Sequence, residues 1–354
     1  MRHSSIVLLL LVSIACGPHP TAPSAMLGAT APGGAIALET ASPLEVRSVT
    51  GRVTNVLSGA AVAGVTVRIA DIGDIAADAS GSFALDSEAP DGTYRLTASG
   101  AGVVDRQASL VFPGQAAVLP LIPSTFNMQA FDDLARSFGE PGVLKRWVDA
   151  PGLIVETALL DREASLDAAG APLESVVASG EQMSDAAINE VVGQLTRALP
   201  LLTGGRFAGF SSVNLQTTAA GAPVPFDTGS NAIVVARYPG TATCRGFTSI
   251  VYTGDYAVVA ARLLLQVCTG SLAGAVAAHE LGHALGYGHV AGAASVMAAT
   301  VTVDVTEFDR QAGTIAHQRA PGNRAPDVDP ETATVNQPLR FRAAGPLRVV
   351  PLTP

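Results

Sequence analysis

The spacing of hydrophobic positions divides the chain into two segments with different predicted secondary structure. Between about residues 45 and 112 apolar and polar residues alternate, most clearly at residues 65–69 and 94–98. A period of two is typical of half-buried β-strands. Turn-forming residues separate the runs at positions 58–59, 78–81 and 91–92. The pattern predicts a small all-β sandwich of about five to seven short strands.

From residue 126 onwards the spacing lengthens to three and four, which is typical of amphipathic helices. Helices are predicted over residues 126–139, 185–202 and 306–318, the second with Ser184 as its N-cap. Apolar runs predict the strands of one sheet near residues 153–160, 211–215, 232–235, 248–252 and 258–267. The predicted fold class is α+β, with a twisted mixed sheet, a long covering helix and a further helix after the last strand.

Length and composition indicate two folded parts. With 354 residues, of which 48% are hydrophobic, the chain is long enough for two cores. We expect a flexible linker over residues 17–43, the sandwich over 44–122, a second domain over 123–330 and a Pro-rich tail over 331–354 that wraps or extends. The net charge of -9, without a block of Lys or Arg, argues against a nucleic-acid partner. We expect a monomer.

The N-terminus has the pattern of a secretory signal. In residues 1–16 a basic residue precedes an apolar run, and small residues lead to Cys16. Residues 12–17 resemble a bacterial lipobox, although Ser13 stands where that pattern usually has an aliphatic residue. The resemblance implies lipid attachment at Cys16 and anchorage at the outer membrane or cell surface. Cleavage by ordinary signal peptidase, which gives a secreted protein, is the alternative.

The chain has three cysteines. If Cys16 is lipidated, Cys244 and Cys268 remain, and export to an oxidising compartment favours a disulfide between them. Two unconnected buried thiols are the alternative, because the sequence gives no distance between the pair.

Candidate chemistry is concentrated in residues 279–289, which read His-Glu-Leu-Gly-His-Ala-Leu-Gly-Tyr-Gly-His. On a helix, His279 and His283 leave the same face and converge on one ion. Glu280 then points beside the ion, where a carboxylate takes a proton from metal-bound water. Ser271 is the predicted N-cap of this helix, and the alanines that follow it favour helical backbone.

A turn and a methionine follow the predicted helix. Gly286 is able to adopt a positive φ and reverse the chain, which brings His289 back as a third ligand. Met297 ends a Ser-Val-Met sequence further along. This combination resembles the metzincin metalloproteases, and most closely their matrixin branch, in which a methionine-containing turn lies beneath the metal. The resemblance covers roughly residues 126–330, and its specific part is limited to about 271–297.

The metzincin resemblance implies a zinc endopeptidase with one catalytic Zn²⁺ on the three histidines and with Glu280 as the general base. It also implies that an extended peptide or protein substrate binds beside an edge strand, for which residues 248–252 are the candidate. No calcium site is indicated. Two positions depart from particular subfamilies: Val290 follows the third ligand, and Ala299 stands where astacins have a ligand tyrosine.

The N-terminal sandwich has a resemblance of its own. Its order of short motifs is similar to that of the carboxypeptidase regulatory-like, or transthyretin-like, domain, with the matching positions at residues 50–53, 64–67, 78–83 and 92–94. Nothing in this segment resembles a catalytic group.

Two other functions compete with the endopeptidase. A gluzincin would use His279, His283 and a downstream carboxylate such as Glu307 in place of His289. A cell-surface binding lipoprotein would recognise a glycan or a protein through the sandwich and keep only a vestigial zinc site.

Overall fold

Seven strands form two sheets in the N-terminal part of the fold. The computed structural model describes residues 45–139, 141–168, 170–240, 244–268, 272–337 and 347–351. One sheet has the order β4-β1-β7 and consists of β1 (Arg47–Asn55), β4 (Ser82–Ser87) and β7 (Ala117–Leu121). The other has the order β3-β2-β5-β6 and consists of β2 (Thr66–Ile69), β3 (Gly73–Ala76), β5 (Gly92–Ser99) and β6 (Arg106–Phe112). The predicted β-sandwich is confirmed.

Alternation of side chains builds the core of the sandwich. In β2, Val67 and Ile69 are buried while Thr66 and Arg68 are exposed. Because successive side chains of a strand point to opposite faces, only one face of the sheet is apolar and packs inward. This core is separate from the larger cluster of the second part of the chain.

The second part contains a six-stranded mixed sheet in the order β11-β8-β12-β14-β13-β15. Its strands are β8 (Gly152–Glu156), β11 (Val213–Gln216), β12 (Ala232–Tyr238), β13 (Gly246–Tyr252), β14 (Val258–Gln266) and β15 (Arg348–Pro351). The first four in sheet order are parallel, whereas β13 is antiparallel to both of its neighbours. A two-stranded sheet of β9 (Ala158–Leu160) and β10 (Ala178–Gln182) lies apart from it.

The described part of the chain has five helices, namely α1 (Met128–Arg136), α2 (Arg162–Ser165), α3 (Asp185–Leu202), α4 (Ala273–Ala284) and α5 (Glu307–His317). The long helix α3 begins where the sequence predicts, because the hydroxyl of Ser184 accepts a hydrogen bond from the Ala187 N–H. Helix α4 packs against α3, β13 and β14. The predicted α+β class is confirmed.

One prediction about the sheet is wrong. Residues 248–252 were expected to form an edge strand, but β13 lies between β14 and β15. The sequence did not reveal β15 because it is only four residues long and ends in a proline, which cannot donate to a strand ladder. The chain itself supplies the strand that covers β13.

The C-terminal segment also reaches the sandwich. Gln107 of β6 accepts from the Asp329 N–H at 2.9 Å, and the Gln107 N–H donates to the Asp327 carbonyl at 2.9 Å. Further along, the Val335 N–H donates to the Ser109 carbonyl at 2.8 Å. The described residues from 45 onwards accordingly form one compact unit by their contacts.

A disulfide joins Cys244 to Cys268, with the two Cα atoms 5.3 Å apart. The reason lies in the pairing of the strands between them: Gly246 at the start of β13 lies opposite Leu265 near the end of β14. The antiparallel pair therefore brings its two flanking cysteines together.

Several predictions fall outside the described residues. These are the signal with Cys16, the linker over 17–43 and the proposed N-cap Ser271. Helix α4 as described has Leu272 at its N-cap position, with no side-chain hydrogen bond. Among the helices that the structure describes, none is long and apolar enough to cross a membrane.

Candidate metal centre

Helix α4 presents two histidines on one face. His279 and His283 are one turn apart, both are buried, and their Nε2 atoms are 3.0 Å from each other. A spacing of four residues places side chains one above the other on a helix, so this proximity follows directly from the sequence.

The other nitrogen of each ring is held by a backbone carbonyl. His279 Nδ1 lies 2.7 Å from the Val296 carbonyl, and His283 Nδ1 lies 2.7 Å from the Tyr287 carbonyl. Since a carbonyl only accepts, each Nδ1 carries the proton and donates it. The two Nε2 lone pairs then face each other, an arrangement that a cation between them stabilises. In metal-binding histidines, the ring nitrogen that does not bind the metal typically donates to a carbonyl or carboxylate in this way.

A tight turn brings His289 to the same place. Gly286 has a φ of +100°, and a Cβ there would overlap the Lys145 carbonyl oxygen, so both the conformation and the space require glycine. Beyond the turn, the Val290 N–H donates to the Met297 carbonyl at 2.8 Å. Ligand atoms of His279, His283 and His289 all lie within 4.8 Å of one another. His289 is half-buried, so solvent reaches the cluster from the side where His289 lies.

Burial sets the charge state of the three rings. Desolvation lowers the pKa of His279 and His289 and holds the pKa of His283 well below its ordinary value. The rings are neutral at pH 7 as a result, and neutral imidazole is the form that binds a metal. Three neutral nitrogen donors fit Zn²⁺, which takes three protein ligands and keeps an open position in catalytic sites.

The side chain of Glu280 projects from helix α4 towards the start of β13. This side chain is buried, and Thr248 Oγ1 donates to its Oε2 at 2.6 Å. Burial raises the pKa of Glu280 to about 7, although the hydrogen bond from Thr248 acts in the opposite direction. A Cβ on Gly246 would overlap Cγ and Cδ of Glu280, so the strand approaches the carboxylate as closely as backbone allows. A carboxyl group with a pKa near neutrality is suited to general acid–base chemistry.

Met297 lies beneath the helix, fully buried, and its sulfur occupies the space that a Cβ on Gly282 would need. The turn that carries it is fixed by Asp309 of α5. Asp309 accepts hydrogen bonds from the Ser295 hydroxyl and from the Val296 N–H, the latter at 2.9 Å. The Val296 carbonyl in turn holds His279, so Asp309 acts on the cluster through two successive hydrogen bonds, with Val296 between them.

Sequence reasoning missed Asp309, Thr248 and Trp147 as supports of this site. Trp147 Nε1 donates to the Ala284 carbonyl at 2.7 Å and so satisfies the end of α4. Only Asp309 had a local signal, because Thr306 and Asp309 form a capping box at the start of α5. The other two come from distant positions and become neighbours through tertiary folding.

Other predicted residues lie elsewhere. Glu307, the ligand expected of a gluzincin, is exposed and hydrogen bonds to Arg310 and Gln311. Among the described residues, the group able to hold a metal ion is the set of three histidines and does not include Glu307. Tyr287 is buried, and its hydroxyl donates to the Leu202 carbonyl, so it packs the helix against α3.

Comparison with known proteins bears on the sandwich. Residues 48–121 match the family model of the Carboxypeptidase regulatory-like domain, which confirms the resemblance of the N-terminal part. The structure of Klebsiella pneumoniae 5-hydroxyisourate hydrolase is similar at 21% identity, with 22% of this chain and 84% of that chain covered and a TM-score of 0.19. No curated protein matches the chain. The family match ends at residue 121 and does not extend to the three histidines.

Proposed function

We propose that the protein is a zinc-dependent endopeptidase of the metzincin type. The observation that carries the proposal is the cluster of His279, His283 and His289, with Glu280 adjoining it on the same helix. The turn containing Met297 beneath α4 and the mixed sheet beside it support the metzincin type.

Zinc, when bound, supplies a Lewis acid that polarises a peptide carbonyl and lowers the pKa of water. The protein's own groups handle the proton. Glu280 accepts a proton from the attacking water and delivers it to the departing amine, because it is the buried carboxylate next to the ligands. Thr248 donates to Oε2 of that carboxylate and so fixes its position.

Replacement of Glu280 by Gln tests the role of this carboxylate. The Glu280→Gln variant is expected to retain zinc, since the three ligands are intact, and to lose about 10²–10⁴-fold in kcat on a casein-derived peptide digest. His289→Ala is expected to lose the bound zinc. Metal content by mass spectrometry and product formation by chromatography are the two measurements.

Glu307→Gln is the matched control, because it removes an exposed carboxylate from the same part of the chain. It is expected to behave like the wild-type protein, whereas a gluzincin would lose its metal. Wild-type turnover by Glu280→Gln would overturn the proposed mechanism. A zinc-loaded wild-type protein that cleaves no peptide would favour a binding protein with a vestigial site.

We also propose that the protein is exported and anchored by lipid at Cys16. The pattern of residues 1–16 and the disulfide between Cys244 and Cys268, a bond typical of oxidising compartments, support this. Cys16→Ala is expected to move the protein from the membrane fraction to the soluble fraction and to change the mature mass, because the acyl chains are no longer attached. Unchanged partition and mass would contradict lipidation.

A further inference from the structure

Strand β13 leads to the metal centre. It begins at Gly246, which lies against Glu280, and its third residue, Thr248, donates the hydrogen bond that holds the carboxylate. The opposite edge of the sheet is formed by β11, four strands away from β13. Of the two edges of this sheet, the one on the β13 side is therefore the edge next to the proposed catalytic carboxylate.

The chain's own strand β15 occupies that edge. It pairs with β13 in antiparallel register, with Arg348 opposite Tyr252 and Pro351 opposite Ser249. Ser249 directly follows Thr248, and a strand advances by only about 3.3 Å per residue. The strand β15 thus runs along β13 towards Glu280 and covers the backbone of residues 249–252, which directly follow Thr248.

An extended peptide uses the same groups when it binds to a sheet edge, because main-chain hydrogen bonds to an unpaired strand supply much of its affinity. On its other side β13 is already paired with β14 along its whole length. Residues 246–248 span only about 10 Å. A peptide that lies along β13 and extends past Thr248 must therefore pair where β15 does, and the two cannot occupy residues 249–252 together.

We propose that β15 is an autoinhibitory strand that competes with extended peptides for the β13 edge. The proposal rests on the endopeptidase function only for the identity of the competitor. The strand is suited to exchange because it is short: four of its residues pair with β13, against seven residues of β14 on the other side. Peptide access then depends on the fraction of molecules in which β15 has left the edge.

The test removes backbone donors from β15. A double variant, Val349→Pro and Val350→Pro, lacks two N–H groups and cannot complete the ladder. Val349→Thr with Val350→Thr is the matched control, because threonine keeps both the N–H groups and the β-branched shape. All chains carry Glu280→Gln, so that binding is measured without turnover, and all are loaded with zinc.

The probe is a fluorescein-labelled peptide with the sequence of residues 347–351, Leu-Arg-Val-Val-Pro, and its Kd is read by fluorescence anisotropy. The proline variant is expected to bind it about tenfold more tightly than the threonine control and the parent chain, because the competing strand no longer holds the edge. A peptide N-methylated at both valines is expected not to bind. Equal Kd values for the proline and threonine variants would overturn the proposal.

Hydrolysis distinguishes this outcome from failure of the proposed function. Suppose that, with Glu280 restored, the proline variant binds the probe tightly but cleaves no peptide. That result would support the role of β15 as a strand that blocks the edge and would contradict the endopeptidase function. If the proline variant and the threonine variant cleave peptides with the same KM, the endopeptidase function would be supported and the autoinhibitory role of β15 would be contradicted.

Discussion

Gly246 and Glu280 show how closely the backbone of one strand defines the position of one side chain. The absence of a Cβ at residue 246 lets the carboxylate lie against the strand, where Thr248 holds it. The function that we propose makes Glu280 a proton-transfer group, and such a group must be placed to within a fraction of an ångström. On that proposal the contact matters for turnover.

Gly246→Ala is predicted to reduce kcat by about 100-fold while zinc content stays unchanged, because the new methyl group displaces the Glu280 side chain from its position. Steady-state kinetics and metal analysis are the measurements. Gly274→Ala is the matched control, since a Cβ at that helical position meets nothing within 4 Å. A wild-type kcat for Gly246→Ala would show that the placement of Glu280 does not depend on the strand.

The residues of the site differ in how far sequence could reveal them. The three histidines, Glu280 and Gly286 were predictable because their spacing alone fixes their geometry on a helix and turn. Thr248 was not, because it lies 32 residues from its partner and gives no local pattern. Chemistry carried by one segment can be predicted, whereas the groups that hold it in place depend on the fold.

Among the elements, the turn before α5 connects the histidine cluster to the rest of the core. Asp309 is fully buried and also accepts from the Thr306 N–H at 2.8 Å, so one carboxylate joins the capping of α5 to the turn beneath α4. Buried acceptors with several donors are costly to remove, because each donor loses its partner away from water.

Asp309→Asn is predicted to destabilise the protein by about 1–3 kcal/mol, since an amide cannot accept all of these bonds. It is also predicted to lower zinc affinity by about 10–100-fold, because the Val296 carbonyl that orients His279 moves with the turn. Urea unfolding and competition with a chelating dye measure the two effects. Asp304→Asn is the control, because Asp304 is an exposed residue of the same loop. It is expected to change neither the stability nor the zinc affinity.

Elements with a regular apolar pattern were the predictable ones. Helix α3 begins and ends at the predicted residues, and β12 and β14 follow their apolar runs. Strand β10, which reads Ala-Ser-Gly-Glu-Gln, has no alternation and exists through its pairing with β9. Such strands form because a neighbouring strand pairs with them, and their own sequences show no β pattern.

At the scale of the whole molecule, a buried ionic network joins the sandwich to the C-terminal segment. Arg319 makes a bidentate ion pair with Asp327: Nε donates to Oδ1 at 2.6 Å and Nη2 donates to Oδ2 at 2.7 Å. Both side chains are fully buried. Arg106 of the sandwich pairs with Asp329 at 2.8 Å, and both arginines also donate to the Pro120 carbonyl. Arg106 and Asp329 are 223 residues apart, so their pairing leaves no local pattern in the sequence.

Acid is predicted to weaken this network. Burial alone would raise the pKa of Asp327, but the charges of Arg319 and Arg106 and the hydrogen bonds from Arg319 and Asn323 outweigh it and lower the pKa. A lowered pKa in the folded state gives stability that is present above the ordinary value of 3.8 and is lost as the pH falls further. The free energy of unfolding is therefore expected to decrease as the pH falls below the ordinary value of 3.8.

Asp327→Asn is predicted to cost about 3–5 kcal/mol at pH 7, because it leaves Arg319 buried without a counter-charge, and to flatten the acid dependence. Urea unfolding across pH measures both effects. Asp74→Asn breaks the exposed pair with Arg68 and is expected to change little. Equal losses in the two variants would contradict the special role of the buried pair.

The disulfide between Cys244 and Cys268 closes a covalent ring that contains both β13 and β14. A single backbone cut anywhere inside that ring leaves the two pieces of the chain attached. If the protein were to nick itself there, the strand that carries Thr248 would stay bound to the helix that carries Glu280. Such damage would change neither the mass on a non-reducing gel nor the connection between the two halves, and it would become visible only after reduction.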